Sequence, residues 1–187
     1  MIFTPRIVAI FGLIVVAAVV VQLSFFSQLP LLGSVANLIP VVVVCLGLLG
    51  GAVPGAAAGF GAGLLVDSIL GGTLGVSSLA LMAAGYLGGR WRESYDIVSS
   101  LVPPILCGLL TGVSVLTFGF LTLILGVEAE ISILVLREIL VQAILGALLA
   151  VGVFPLLRLI LRPALVEDAR PSKARRRPRP RMMGVTA

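Results

Sequence analysis

"GAAAGFGAGLLVDSILGG", residues 55–72, decides how this chain folds. Glycines recur every fourth residue at Gly55, Gly59 and Gly63, and a single carboxylate, Asp67, takes the next place in the series. A spacing of four puts residues on neighbouring turns of one helix face, with a drift of about 40° per step, so the four form a winding stripe. The series runs backward to Gly51 and Gly47 in the preceding apolar segment. Glycine costs about 1 kcal/mol of helix propensity relative to Ala. Inside a membrane that cost is offset where the missing side chain lets another backbone come close. The stripe therefore predicts a helix at the centre of a bundle, crossed by a partner in van der Waals contact. The next segment supplies a candidate partner face in Gly85 and Gly89, with Ala84 and Gly88 beside them. Intramolecular packing and a dimer interface are the two uses such a stripe has.

The rest of the chain agrees with a membrane setting. Of its 187 residues 59% are hydrophobic and only 11% charged, with a mean hydropathy of +1.22, far outside the range of soluble globular proteins. Between Gly, Pro and charged punctuation, six apolar runs read as helices: 7–26, 38–52, 54–70, 75–89, 101–125 and 131–157. The predicted fold class is thus all-α, a polytopic membrane protein with six transmembrane helices. No ten-residue alternating pattern suggests a barrel, and lipid leaves a spanning backbone no other option. The second to fourth runs are short, about 22 to 26 Å at 1.5 Å per residue against a hydrocarbon core of about 30 Å. The first run follows Arg6 and exceeds the apolar core of a typical secretory signal, so it reads as a retained span, with a cleaved signal as the alternative.

Chemistry is hard to place here. The chain has no histidine, Cys45 and Cys107 fall inside apolar runs where they read as packing residues, and no cluster has metal-ligand spacing. No nucleophile has an adjacent base and no phosphate loop is present. Neither catalysis, nor a cofactor, nor a nucleic-acid partner is expected.

Positive charge sets an expected orientation. Arg6 precedes the first run, Arg90 and Arg92 lie between the fourth and fifth, and Arg158, Arg162 and the tail follow the sixth. Both termini are then cytoplasmic, and the loops "SQLPLLGSVAN", "GGTLG" and "GVEAE", with Glu128 and Glu130, face outward. Residues 1–162 are expected to form the membrane domain, and residues 163–187, rich in Arg and Pro with little to bury, a basic, disordered cytoplasmic tail. That tail is either a topology anchor against anionic lipid, at about 1 kcal/mol per basic residue, or a dock for an acidic partner.

Asp67 lies about 6 Å below the outward end of its helix and Arg137 about 10 Å below that of the sixth, so their depths match. An intramembrane carboxylate costs about 2.5 to 3.5 kcal/mol and normally finds a partner. An Asp67–Arg137 pair is therefore expected, with Glu138 and Gln142 as polar neighbours. The alternative is that Asp67 only caps or hydrates the end of its own helix. On the cytoplasmic side "RWRESYD", with Arg90, Trp91, Arg92 and Tyr95, has the aromatic and basic character of an interfacial anchor.

The run of residues 55–93, "GAAAGFGAGLLVDSILGGTLGVSSLALMAAGYLGGRWRE", resembles the signature of the rod shape-determining MreD family in its Gly-rich approach, "GF..GLL.D", "LG...L", "GYL.G" and basic turn. Many members of that family carry Pro-Asp at the start of the second span, where this chain reads "ANLIPVVVV", with Asn37 and Pro40 and no acid. The resemblance implies a non-enzymatic subunit of the cell-elongation machinery in the bacterial inner membrane, supporting peptidoglycan synthesis and cell shape, and it gives "RWRESYD" a second reading as a contact for a filament-forming partner. Its implied partners are MreC, directly, and MreB, RodA and a class B penicillin-binding transpeptidase at the level of the complex. The implied fold is similar to the substrate-binding components of energy-coupling-factor transporters, which makes a vitamin-binding component the alternative function. Those components bind their coupling subunit through an AxxxA pattern on the first helix. Here Ala9 is followed four residues later by Leu13, Ala17 by Val21 and Ala18 by Gln22.

Overall fold

Among the described residues six helices follow one another: α1 (Pro5–Ser24), α2 (Leu38–Gly50), α3 (Ala52–Leu70), α4 (Val76–Ser94), α5 (Val102–Ile124) and α6 (Ile133–Asp168). The computed structural model describes residues 5–24, 30–31, 34–35, 37–71, 73–94, 102–126 and 133–168. Between α1 and α2 the backbone forms a two-residue antiparallel pair, β1 (Pro30–Leu31) with β2 (Ser34–Val35), and β2 lies beside α6. Glu128, Glu130, Tyr95 and residues 169–187 of the tail lie outside the described residues. The backbone of α6 continues through residue 162 to Asp168, past the expected end of the last span.

Prolines mark several helix starts. Pro40, Pro54, Pro103 and Pro104 each fall in the first turn of their helix, where an N–H has no intrahelical acceptor to lose. Glycines mark the ends. Gly71, at φ +67°, closes α3 in the left-handed conformation and donates its N–H to the Asp67 carbonyl at 3.1 Å, a standard helix stop. Gly51, at φ +104°, is the single residue between α2 and α3; a side chain there would strain the reversal.

The centre of the bundle is α2, not the glycine-striped α3 that the sequence places there. Every residue from Leu38 to Leu49 is buried, and α2 touches each of the other five helices. On α3, by contrast, Gly55, Ala58, Gly59, Ala62, Gly63 and Asp67 are buried, whereas Val53, Phe60, Ile69 and Leu70 are exposed. The stripe marks one closely packed face and not a surrounded helix. A rod buried on all sides has no polar face, and in lipid a partly exposed rod has none either, so "VVVVCLGLL" carries no sign of its central place.

Among the described residues, three helices have both the length and the hydropathy to cross a bilayer: Ala52–Leu70, Val102–Ile124 and the Arg137–Leu161 part of α6. Val8–Ser24 and Leu38–Gly50 are apolar but shorter. The α2 rod has 13 residues and spans about 20 Å. Being sheathed by its neighbours, it need not match the hydrocarbon thickness itself. The α4 helix carries Arg90, Arg92 and Glu93 in its last turns, which lowers its hydropathy.

Candidate functional site

Among the described residues, the closest backbone approaches at glycines include those where α3 crosses α4. A Cβ added at Gly59 would sit 2.6 Å from the Leu81 carbonyl carbon and 2.9 Å from the Met82 nitrogen. At Gly63 it would meet the Ser77 carbonyl carbon at 2.7 Å, and at Gly85 the Gly55 carbonyl carbon, also at 2.7 Å. Ordinary van der Waals contact begins near 3.4 Å, so none of these positions has room for a methyl group. The α2 helix joins the crossing through Gly47, whose Cα lies 2.6 Å from a Cβ built on Gly55. Gly89 packs in the same way on the backbone of Gly51. Gly47, Gly55 and Gly85 thus form a three-helix contact with no side chain between the backbones, and the stripe is covered by α4 of the same chain. Ser78 belongs to the seam: it is fully buried against Gly63, and among the described residues its hydroxyl has no hydrogen-bond partner.

Both ends of the seam are tied by polar side chains reaching from one helix to the terminus of another. Asp67 is 5% exposed, and its Oδ2 accepts the N–H of Gly75 at 2.7 Å, the residue just before α4. A carboxylate there satisfies a donor that has no partner within the helix and lies at the positive end of the α4 dipole. With its own carbonyl held by Gly71, Asp67 organises the whole α3–α4 turn. At the opposite end Glu93 Oε1 accepts the N–H of Ala52, the first residue of α3, at 3.0 Å. The neighbouring Arg92 donates to the carbonyl of Leu49 in the last turn of α2. One dipeptide of α4 therefore caps the end of α2 and the start of α3 across the Gly50–Gly51 reversal. A third cap comes from α1: Gln22 Oε1 accepts the N–H of Leu38 at 2.7 Å, while Asn37 at the start of α2 makes no side-chain cap.

Of the sequence-predicted residues, the structure brings together Gly55, Gly59, Gly63, Gly85 and Gly89. Asp67 stands at the end of their line. Arg137 and Glu138 are exposed near the start of α6, and α3 packs chiefly on α4, α2 and α1. The described ion pairs place Arg90 beside Glu93 at 3.7 Å; the described partner of the Asp67 carboxylate is the Gly75 amide. Of the expected interfacial anchor, Arg92 is engaged with the α2 end, Arg90 pairs along its own helix, and the Trp91 ring is half exposed. Gln22 and Glu93 were not foreseen. Gln22 is a polar residue two positions from the end of α1, and Glu93 follows Arg90 and Arg92, so position relative to a helix end was the available signal.

Cys45 on α2 and Cys107 on α5 face each other, both fully buried, with their sulfurs 3.5 Å apart. Among the described residues no three His, Cys, Asp or Glu side chains gather into a metal-binding group.

A bundle of apolar helices, joined by a side-chain-free seam and spending its polar groups on helix ends, defines an integral membrane protein. A family model described as rod shape-determining protein MreD matches residues 1–163; the chain belongs to that family, and its role is in rod-shape determination. Comparison with curated proteins and with solved structures gave no match.

Proposed function

We propose that the protein is a non-enzymatic scaffold subunit of the bacterial cell-elongation complex. It holds the single membrane helix of an MreC-type partner and thereby supports peptidoglycan synthesis at the complex that also contains MreB, RodA and a class B penicillin-binding transpeptidase. The observation that carries this reading is the extent of the family match, residues 1–163, which takes in α1 to α5 and most of α6. The chemistry of the bundle supports it: its small residues and caps fix how rods pack, and recognition of another rod in lipid rests on the same close contacts. The charge distribution supports six spans with both termini in the cytoplasm of an inner membrane, residues 1–162 forming the membrane domain and residues 163–187 a basic tail against anionic lipid.

The test is co-expression with an MreC-type bitopic protein, followed by purification in mild detergent and scoring of cell shape in a strain lacking its own MreD. The expected result is recovery of the bitopic partner with the protein and restoration of rods. Recovery of the protein alone, in cells that stay round, would refute the proposal.

A further inference from the structure

At the end of the bundle that carries the α3–α4 turn, a cavity of ≈ 420 Å³ is lined by side chains from all six helices. That volume falls in the range of about 300 to 1,000 Å³ occupied by small-molecule sites. Its walls are mostly apolar, with Val66, Leu81 and Phe118 among them. Three buried polar side chains interrupt them: Gln22, Ser114 and Gln142, at 7%, 4% and 7% exposure. The charged side chain of the lining is Glu138, exposed at the mouth one turn from Gln142. We propose that this cavity binds the ammonium group of an amphiphile whose apolar part lies against the surrounding walls.

Two observations select that chemistry. An anion would meet the Glu138 carboxylate. The Ser114 hydroxyl commits its proton to the Thr111 carbonyl at 2.7 Å, so its oxygen can only accept from an occupant, and a hydrogen-bond donor is called for.

Two sources of such an ammonium group are an aminophospholipid and a soluble amine. The experiment is native mass spectrometry of the purified full-length protein with phosphatidylethanolamine and, in parallel, phosphatidylglycerol of the same acyl chains. A second arm measures thermal unfolding with added ethanolamine or putrescine. If the source is lipid, phosphatidylethanolamine is retained about two- to fivefold over phosphatidylglycerol, the range an ammonium–carboxylate pair with an exposed partner supplies. Glu138→Gln removes that preference while leaving the unfolding midpoint of the lipid-free protein unchanged, and Ser114→Ala weakens retention. Stabilisation by ethanolamine or putrescine that disappears in Glu138→Gln would assign the same chemistry to a soluble amine. Equal or greater retention of phosphatidylglycerol, or a preference that survives Glu138→Gln, with no stabilisation by either amine, overturns the proposal.

Discussion

Gly59→Ala is the sharpest perturbation of the seam, because Gly61 lies two residues away on the same helix as a built-in control. The new methyl at residue 59 would start 2.6 Å from the Leu81 carbonyl carbon, so α4 must withdraw by close to 1 Å to reach normal contact. Overpacking of this kind costs about 1 to 3 kcal/mol, and the gain in helix propensity returns about 1 kcal/mol. The net expectation is a loss of about 1 to 2 kcal/mol. At Gly61 a Cβ would have nothing within 4 Å, so the propensity gain stands alone and Gly61→Ala is neutral or stabilising by up to about 1 kcal/mol. Reversible unfolding in mixed micelles of mild detergent and dodecyl sulfate measures both. If Gly59→Ala is as stable as wild type, or Gly61→Ala loses as much as Gly59→Ala, then the α3–α4 backbone contact does not exist as described.

The polar ends give further outcomes. Asp67→Asn retains an acceptor for the Gly75 amide and should shift stability by less than about 1 kcal/mol, whereas Asp67→Leu strands that N–H and should cost about 1 to 3 kcal/mol in the same unfolding assay. An Asp67–Arg137 pair remains our proposal for how the acid also meets α6. A double-mutant cycle with Asp67→Asn and Arg137→Gln should then show a coupling of about 0.5 kcal/mol or more; additive effects would remove the pair and leave the α3–α4 turn as the whole role of Asp67. Glu93→Ala removes the cap on α3 and should cost about 0.5 to 2 kcal/mol, with faster amide exchange at Ala52 and Val53; unchanged exchange there would contradict the cap. Ser78→Ala, deleting a buried hydroxyl without a described partner, should be neutral or slightly stabilising by thermal melt, and a marked loss would mean that the hydroxyl is engaged.

What the sequence revealed of this fold follows from where lipid leaves a signal. A glycine every fourth residue is informative, since it discards side-chain contact on one face, and Gly55, Gly59 and Gly63 do meet α4 there. Centrality left no such mark. The α2 rod is uniformly apolar, and so is the lipid-facing side of α3, because the bilayer rewards the same residues as the protein interior. The expected central helix was thus assigned to the stripe and belongs to α2. The polar residues left a fainter mark. The described partner of the Asp67 carboxylate is the N–H of Gly75, one of the open donors at helix starts that take up an acceptor close at hand. Gln22 and Glu93 follow the same rule, serving the starts of α2 and α3. Their distance in sequence from those starts hid them. The short pair between β1 and β2 had no legible signal, as two residues per strand carry no periodicity.

The account rests on α2 as the buried axis of the bundle, and the native cysteines report on it without any mutation. With sulfurs 3.5 Å apart, Cys45 and Cys107 need a shift of only about 1.5 Å to reach disulfide length. Treating native membranes with iodine, an apolar oxidant, and following with mass spectrometry should give one intramolecular crosslink joining α2 to α5. Both thiols should resist a water-soluble maleimide until the protein is unfolded. Rapid maleimide labelling of Cys45 in the folded protein, or a crosslink that joins two chains instead, would contradict an α2 enclosed by the other five helices.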